Sequence, residues 1–79
     1  VLDLVQEAFL AFRGTLDPRD QAIWDQRLQA EEPVRLEDLG NEFGVSKERV
    51  RQLEARIKRQ LKVFLQEHLG ADIIVEAMN

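Results

Sequence analysis

Seventy-nine residues with 11 basic and 15 acidic side chains give a formal charge of −4, with no cysteine and one histidine, His68. A chain of this size buries only roughly 60 % of the surface its unfolded form exposes, so it needs an efficient core or a partner. The composition excludes a disulfide framework, a thiolate zinc site, a histidine metal cluster and a histidine-based triad, and no apolar run nears the ~18 residues of a membrane span.

The chain reads as one small all-α domain over residues 1–79. No signal-peptide pattern opens it, and Val1 at its start fits an excised or processed piece. Residues 1–13 carry Val1, Leu2, Leu4, Val5, Ala8, Phe9, Leu10, Ala11 and Phe12 as a wide stripe at helical spacing, with Asp3, Gln6, Glu7 and Arg13 opposite. That stripe is either the first core helix or a surface that an adjoining domain covers. Gly14 supplies a stop.

Leu16-Asp17-Pro18-Arg19-Asp20 starts a second helix. Asp17 can accept from the open amides, Pro18 suits the first helical position and Asp20 favours the positive helix end. Ala22, Ile23, Trp24 and Leu28 carry its apolar face to about Ala30, with Trp24 assigned to packing, and Pro33 disfavours a helical Glu32. A short third helix spans Leu36 to Phe43 and breaks at Gly44. Ser46 caps a fourth that runs to about Leu69, roughly 24 residues or ~36 Å. Val50, Leu53, Ile57, Leu61, Phe64, Leu65 and Leu69 form its apolar stripe, and His68 meets the negative helix end. The tail 71–79, with Ile73, Ile74, Val75 and Met78, fits a short helix, a strand or a disordered end.

The net charge conceals a segregation. Residues 1–45 carry −6, residues 46–62 carry +5, and residues 63–79 carry −3. Seven cations (Lys47, Arg49, Arg51, Arg56, Lys58, Arg59, Lys62) face only two acids, Glu48 and Glu54, within 17 residues. Such a stripe attracts phosphate whatever the total charge.

Residues 36–55 fit a helix-turn-helix whose second helix is long. Two helices meeting steeply across a short turn need a small residue at their contact, met by Gly40, and a residue tolerant of positive φ at the turn, met by Gly44. Leu39, Phe43, Val45, Val50 and Leu53 supply the packing. In that arrangement the second helix lies in the major groove and turns Ser46, Lys47, Glu48, Arg49, Arg51 and Gln52 outward. Lysine suits guanine O6/N7, glutamate suits cytosine N4 and glutamine suits adenine N6/N7. Glu48 amid cations either reads a base or pairs with Arg51 or Gln52 one turn on.

The run Val45-Ser46-Lys47-Glu48-Arg49-Val50-Arg51-Gln52-Leu53-Glu54, with Val34 to Phe43 before it and Leu16-Asp17-Pro18-Arg19-Asp20 upstream, resembles region four of bacterial sigma factors. These are the promoter-specificity subunits of RNA polymerase. The resemblance covers residues 16–62, and Gln52-Leu53-Glu54 with Glu31-Glu32-Pro33-Val34 looks like the heat-shock-type branch. It implies a domain of four or five helices that recognises the minus-35 promoter element in the cytoplasm, at the bacterial nucleoid. By this resemblance Lys47, Glu48 and Gln52 contact bases, while Arg35, Ser46, Arg49, Arg51 and Arg56 contact the backbone or flanking bases. Arg56 and Arg59 face activators. An apolar groove on the second and third helices would hold the flap of the polymerase β subunit, and an anti-sigma factor is a further partner. The resemblance implies no cofactor, membrane partner, small-molecule substrate or enzymatic activity. Arg35 departs from the family's usual threonine, so the start of the third helix loses a side-chain acceptor. Lys47 stands where arginine is common and replaces a two-pronged contact with a point charge. The residues leave two rivals: a stand-alone helix-turn-helix regulator, and a helical interaction module without DNA binding.

Overall fold

The computed structural model describes residues 2–69, all helices and connections; the sequence reading of the tail falls outside them. Helix α1 spans Leu2–Gly14. Ala8 and Phe12 turn into the core, whereas Leu4 and Leu10 remain 59 % and 70 % exposed. The wide apolar stripe is therefore only partly consumed by the core. Gly14 is the last helical residue, and φ is positive at no described glycine except Gly44. The helix thus stops at the expected glycine, but without a left-handed cap; side chains and the next turn take up the terminal carbonyls. Thr15 donates its amide and hydroxyl to Phe12 O at 2.9 and 2.7 Å, and Gln21 Nε2 donates to Arg13 O at 3.1 Å.

Helix α2, Pro18–Ile23, begins as its sequence dictates: Asp17 Oδ1 accepts from the Asp20 amide at 2.8 Å, and Pro18 takes the first turn. An unbroken α-helix to Ala30 was expected here, but the structure differs. The chain passes at Trp24 into a π-helical turn, Trp24–Leu28, closed by Gln29 N–H to Trp24 O at 2.8 Å. Ile23 before the turn and Trp24 and Leu28 at its two ends are all buried. The connection that follows is pinned back, because Val34 N–H donates to Gln26 O (2.9 Å) and Arg27 Nη1 donates to Val34 O (3.1 Å).

Helices α3, Leu36–Phe43, and α4, Lys47–Leu69, complete the described chain. The core joins Ala8, Phe12, Ile23, Trp24 and Leu28 to Leu53, Ile57, Leu61 and Leu65 of α4. Trp24 is only 3 % exposed and receives ring edges from Phe9 and Phe12 at centroid distances of 5.6 and 5.3 Å. Edge-to-face contacts of this kind add to the area a tryptophan buries. Phe64 extends the cluster and stacks on the His68 ring at 3.8 Å. The His68 Nδ1 lies 3.1 Å from Phe64 O, which can only accept, so Nδ1 carries the hydrogen and adds a second donor to a carbonyl in the last turns of α4.

Candidate nucleic-acid interface

Position of the outward face of α4 depends on the turn before it. Gly44 adopts φ 69°, ψ 32°, the left-handed conformation that a side chain resists, and the amides of Gly44 and Val45 both donate to Gly40 O. A Cβ on Gly40 would stand 2.5 Å from Val45 O and 3.3 Å from Lys47 N. Both glycines therefore answer geometric needs: one lets the backbones of α3 and the turn touch, and the other reverses the chain. Ser46 then caps α4, its Oγ accepting from Arg49 N–H at 3.1 Å.

This geometry leaves Ser46, Lys47, Glu48, Arg49, Arg51 and Gln52 exposed along the first two turns of α4, while Val50 and Leu53 are buried beneath them. Six of the eight residues expected to meet bases or the backbone thus lie exposed together at the start of α4. They are not idle there. Arg51 forks onto Glu48, Nε donating to Oε2 at 3.0 Å and Nη2 to Oε1. Arg49 Nη1 reaches Gln52 Oε1 at 3.5 Å, a weak contact. The Arg51 hydrogen bonds hold the Glu48 carboxyl below the usual carboxylate range and raise Arg51 in turn. Lys47, Arg59 and Lys62 make no ion pair among the described residues.

The remaining predicted contacts scatter. Arg35, at the cap position of α3, gives no side-chain cap and forks onto Asp38 at 3.2 and 3.3 Å. Arg56 points along α4 towards the body, where Nη2 donates to Asp20 Oδ2 at 3.3 Å. Asp20 is 3 % exposed and takes a second, longer contact from Arg19 at 3.5 Å. A further cross-helix pair joins Arg27 of the π turn to Glu54 of α4. Arg27 Nη2 lies 3.2 Å from each carboxylate oxygen but aligns for a hydrogen bond only with Oε2. Glu54 Oε1 and Arg27 Nε are buried without a hydrogen-bond partner.

Sequence reasoning missed both buried carboxylates, although a signal was present. Asp20 lies three and four residues before Ile23 and Trp24, and Glu54 lies four after Val50 and three before Ile57. Each therefore belongs to a buried helix face. Among the described residues the exposed large apolar side chains are Leu4, Leu10 and Val63, on α1 and α4, while Leu36 and Phe43 of α3 are half-buried.

Comparison of the sequence with known families gives a match to sigma-70, region 4, over residues 14–63. The chain belongs to the sigma-70 region 4 family. It is a DNA-binding, non-enzymatic family, and the match takes in α2, the π turn, α3 and most of α4. Among similar proteins, RNA polymerase sigma-B factor of Myxococcus xanthus is 53 % identical over 47 residues, 60 % of this chain and 19 % of that protein. Sigma-C factor of the same organism is 44 % identical over 63 residues, 80 % of the chain and 20 % of its own length. RNA polymerase sigma factor RpoH of Rhizobium radiobacter is 43 % identical over 53 residues, covering 67 % and 18 %. The chain thus spans about a fifth of the relatives it matches. No solved structure matches it significantly. Among the described residues no helix is long and apolar enough to cross a membrane.

Proposed function

We propose that this region-4 chain recognises the minus-35 promoter element and docks on RNA polymerase, so directing transcription initiation as part of an alternative, heat-shock-type sigma factor. The observation that carries the reading is the single exposed face of α4. A glycine-built turn presents Lys47, Glu48, Arg49, Arg51 and Gln52 together, over a core that fixes the helix behind them. Lys47, Glu48 and Gln52 have the donor and acceptor patterns that base edges answer, whereas Ser46, Arg35, Arg49 and Arg51 suit phosphates. Arg59, exposed and without an ion pair among the described residues, suits an activator's acidic surface. Arg56 serves the same side only by sharing its guanidinium with Asp20.

Docking on polymerase calls for an apolar face away from the DNA. The apolar groove read on α2 and α3 is the seat proposed for the β-subunit flap. Support for the heat-shock branch comes from the similarity to RpoH proteins.

Promoter selection from a randomised library tests the reading, with polymerase carrying the full sigma factor. Enrichment of a shared upstream hexamer-like element, lost on substituting Gln52 and Lys47 together by alanine, is the expected result. A library that emerges without any common upstream element overturns it.

A further inference from the structure

The forked contact between Glu48 and Arg51 is more than a surface ion pair in its consequences. Both side chains are well exposed, at 56 % and 61 %, and lie on the face that the proposed function turns to DNA. A bare carboxylate there would be driven from the duplex by the phosphates that Lys47 and Arg49 attract. Paired with Arg51, the two-residue unit is neutral, and the acid can approach a base edge.

Hydrogen-bond inventory carries the argument further. An ionised carboxylate offers about four lone-pair sites, and the Arg51 fork uses two of them. A guanidinium has five N–H donors in a plane, of which the fork spends two. Glu48 therefore keeps acceptor capacity for a base amine, and Arg51 keeps donors for a phosphate, while the fork between them stays intact. The fork also fixes the direction of a side chain whose several rotatable bonds would otherwise need ordering on binding.

We propose that Arg51 is a positioning residue: it holds the Glu48 carboxylate in the orientation that reads a base, and bridges it to the DNA backbone. This rests on the reading of α4 as the groove-inserted helix. It differs from a plain phosphate contact, which charge alone suggests for Arg51 and which weakens all sequences alike.

Lysine at this position keeps the charge but cannot fork, so Arg51→Lys separates the two roles. The experiment measures binding of the polymerase carrying the full sigma factor to a panel with each base at each position of its preferred upstream element, at several salt concentrations. Wild type is compared with Arg51→Lys, Glu48→Ala and the double variant. Expected is a loss of about tenfold in discrimination at one position in Arg51→Lys, with the salt slope kept. Glu48→Ala should flatten that same position, and the double variant should be no flatter there than Glu48→Ala alone. A preference profile unchanged in Arg51→Lys, or flattened at a different position from Glu48→Ala, overturns the proposal. Absence of any preferred element in wild type fails differently, because it removes the promoter reading itself.

Discussion

Two sets of arginine–carboxylate pairs divide this small molecule. Arg13–Asp25, Arg35–Asp38 and Glu48–Arg51 lie in the open, with side chains from 39 to 77 % exposed. Arg27–Glu54 and Asp20–Arg56 instead cross from the α2 segment to α4, and their carboxylates are only 8 % and 4 % exposed. The residue types are the same and the distances similar, so environment alone separates their roles. Water competes for the exposed pairs and screens them, so each adds little stability and keeps its unused donors and acceptors open to solvent. A buried carboxylate has no such alternative partner. Losing its arginine leaves a charge stranded, and so the cross-helix pairs specify how α4 sits on α2. The two orphaned atoms of Arg27–Glu54 fit a contact that specifies geometry and adds little net stability.

The sharpest way to break this contrast is to remove Glu54. Glu54→Ala strands a largely buried Arg27 and should cost about 3 kcal/mol in urea denaturation, while the combined Arg27→Met and Glu54→Met replacement should recover most of it. A cost near that of a surface substitution would place this pair with the exposed ones. Asp20→Ala should cost less, about 1–2 kcal/mol by thermal unfolding, because Arg19 and Arg56 are 38 % and 47 % exposed and return to water. The smallest effect belongs to Asp25, whose carboxyl is held below its usual range chiefly by hydrogen bonds from Arg13. A lowered folded-state pKa contributes stability above the unfolded value of about 4 and loses it as pH falls through the folded value. Wild type should therefore exceed Asp25→Asn slightly at neutral pH, and their unfolding curves should converge on acidification below pH ~4. A gap that persists in acid would assign the effect to packing.

Local chemistry made most of the helical frame legible. Asp17-Pro18, the Gly40 and Gly44 pair and Ser46 each state a requirement that neighbouring backbone meets, so the start of α2, the turn and the start of α4 lie where the sequence places them. The family likeness was legible for the same reason, since the turn and the outward face of α4 occupy one uninterrupted stretch. The π turn was not, because Trp24 to Leu28 are ordinary helix residues whose types do not signal the wider closure. Asp20 and Glu54 were read through the helix dipole and the charge count, whereas their partners lie 36 and 27 residues away. Glu48 left two readings open on sequence alone. The structure shows the pair with Arg51, and its inventory of donors and acceptors allows base reading beside it.

The unbroken length of α4 turns its buried anchor into a pivot. Glu54 stands seven residues from Lys47, roughly 10 Å at the helical rise, so a swing of about 6° there carries Lys47 about 1 Å sideways, much of the tolerance of a hydrogen bond. Substitutions under α2 that never reach the outward face of α4 should thus shift where that face points, and with it the base contacts proposed for it. The pitch of the instrument is set at its peg, not at the string.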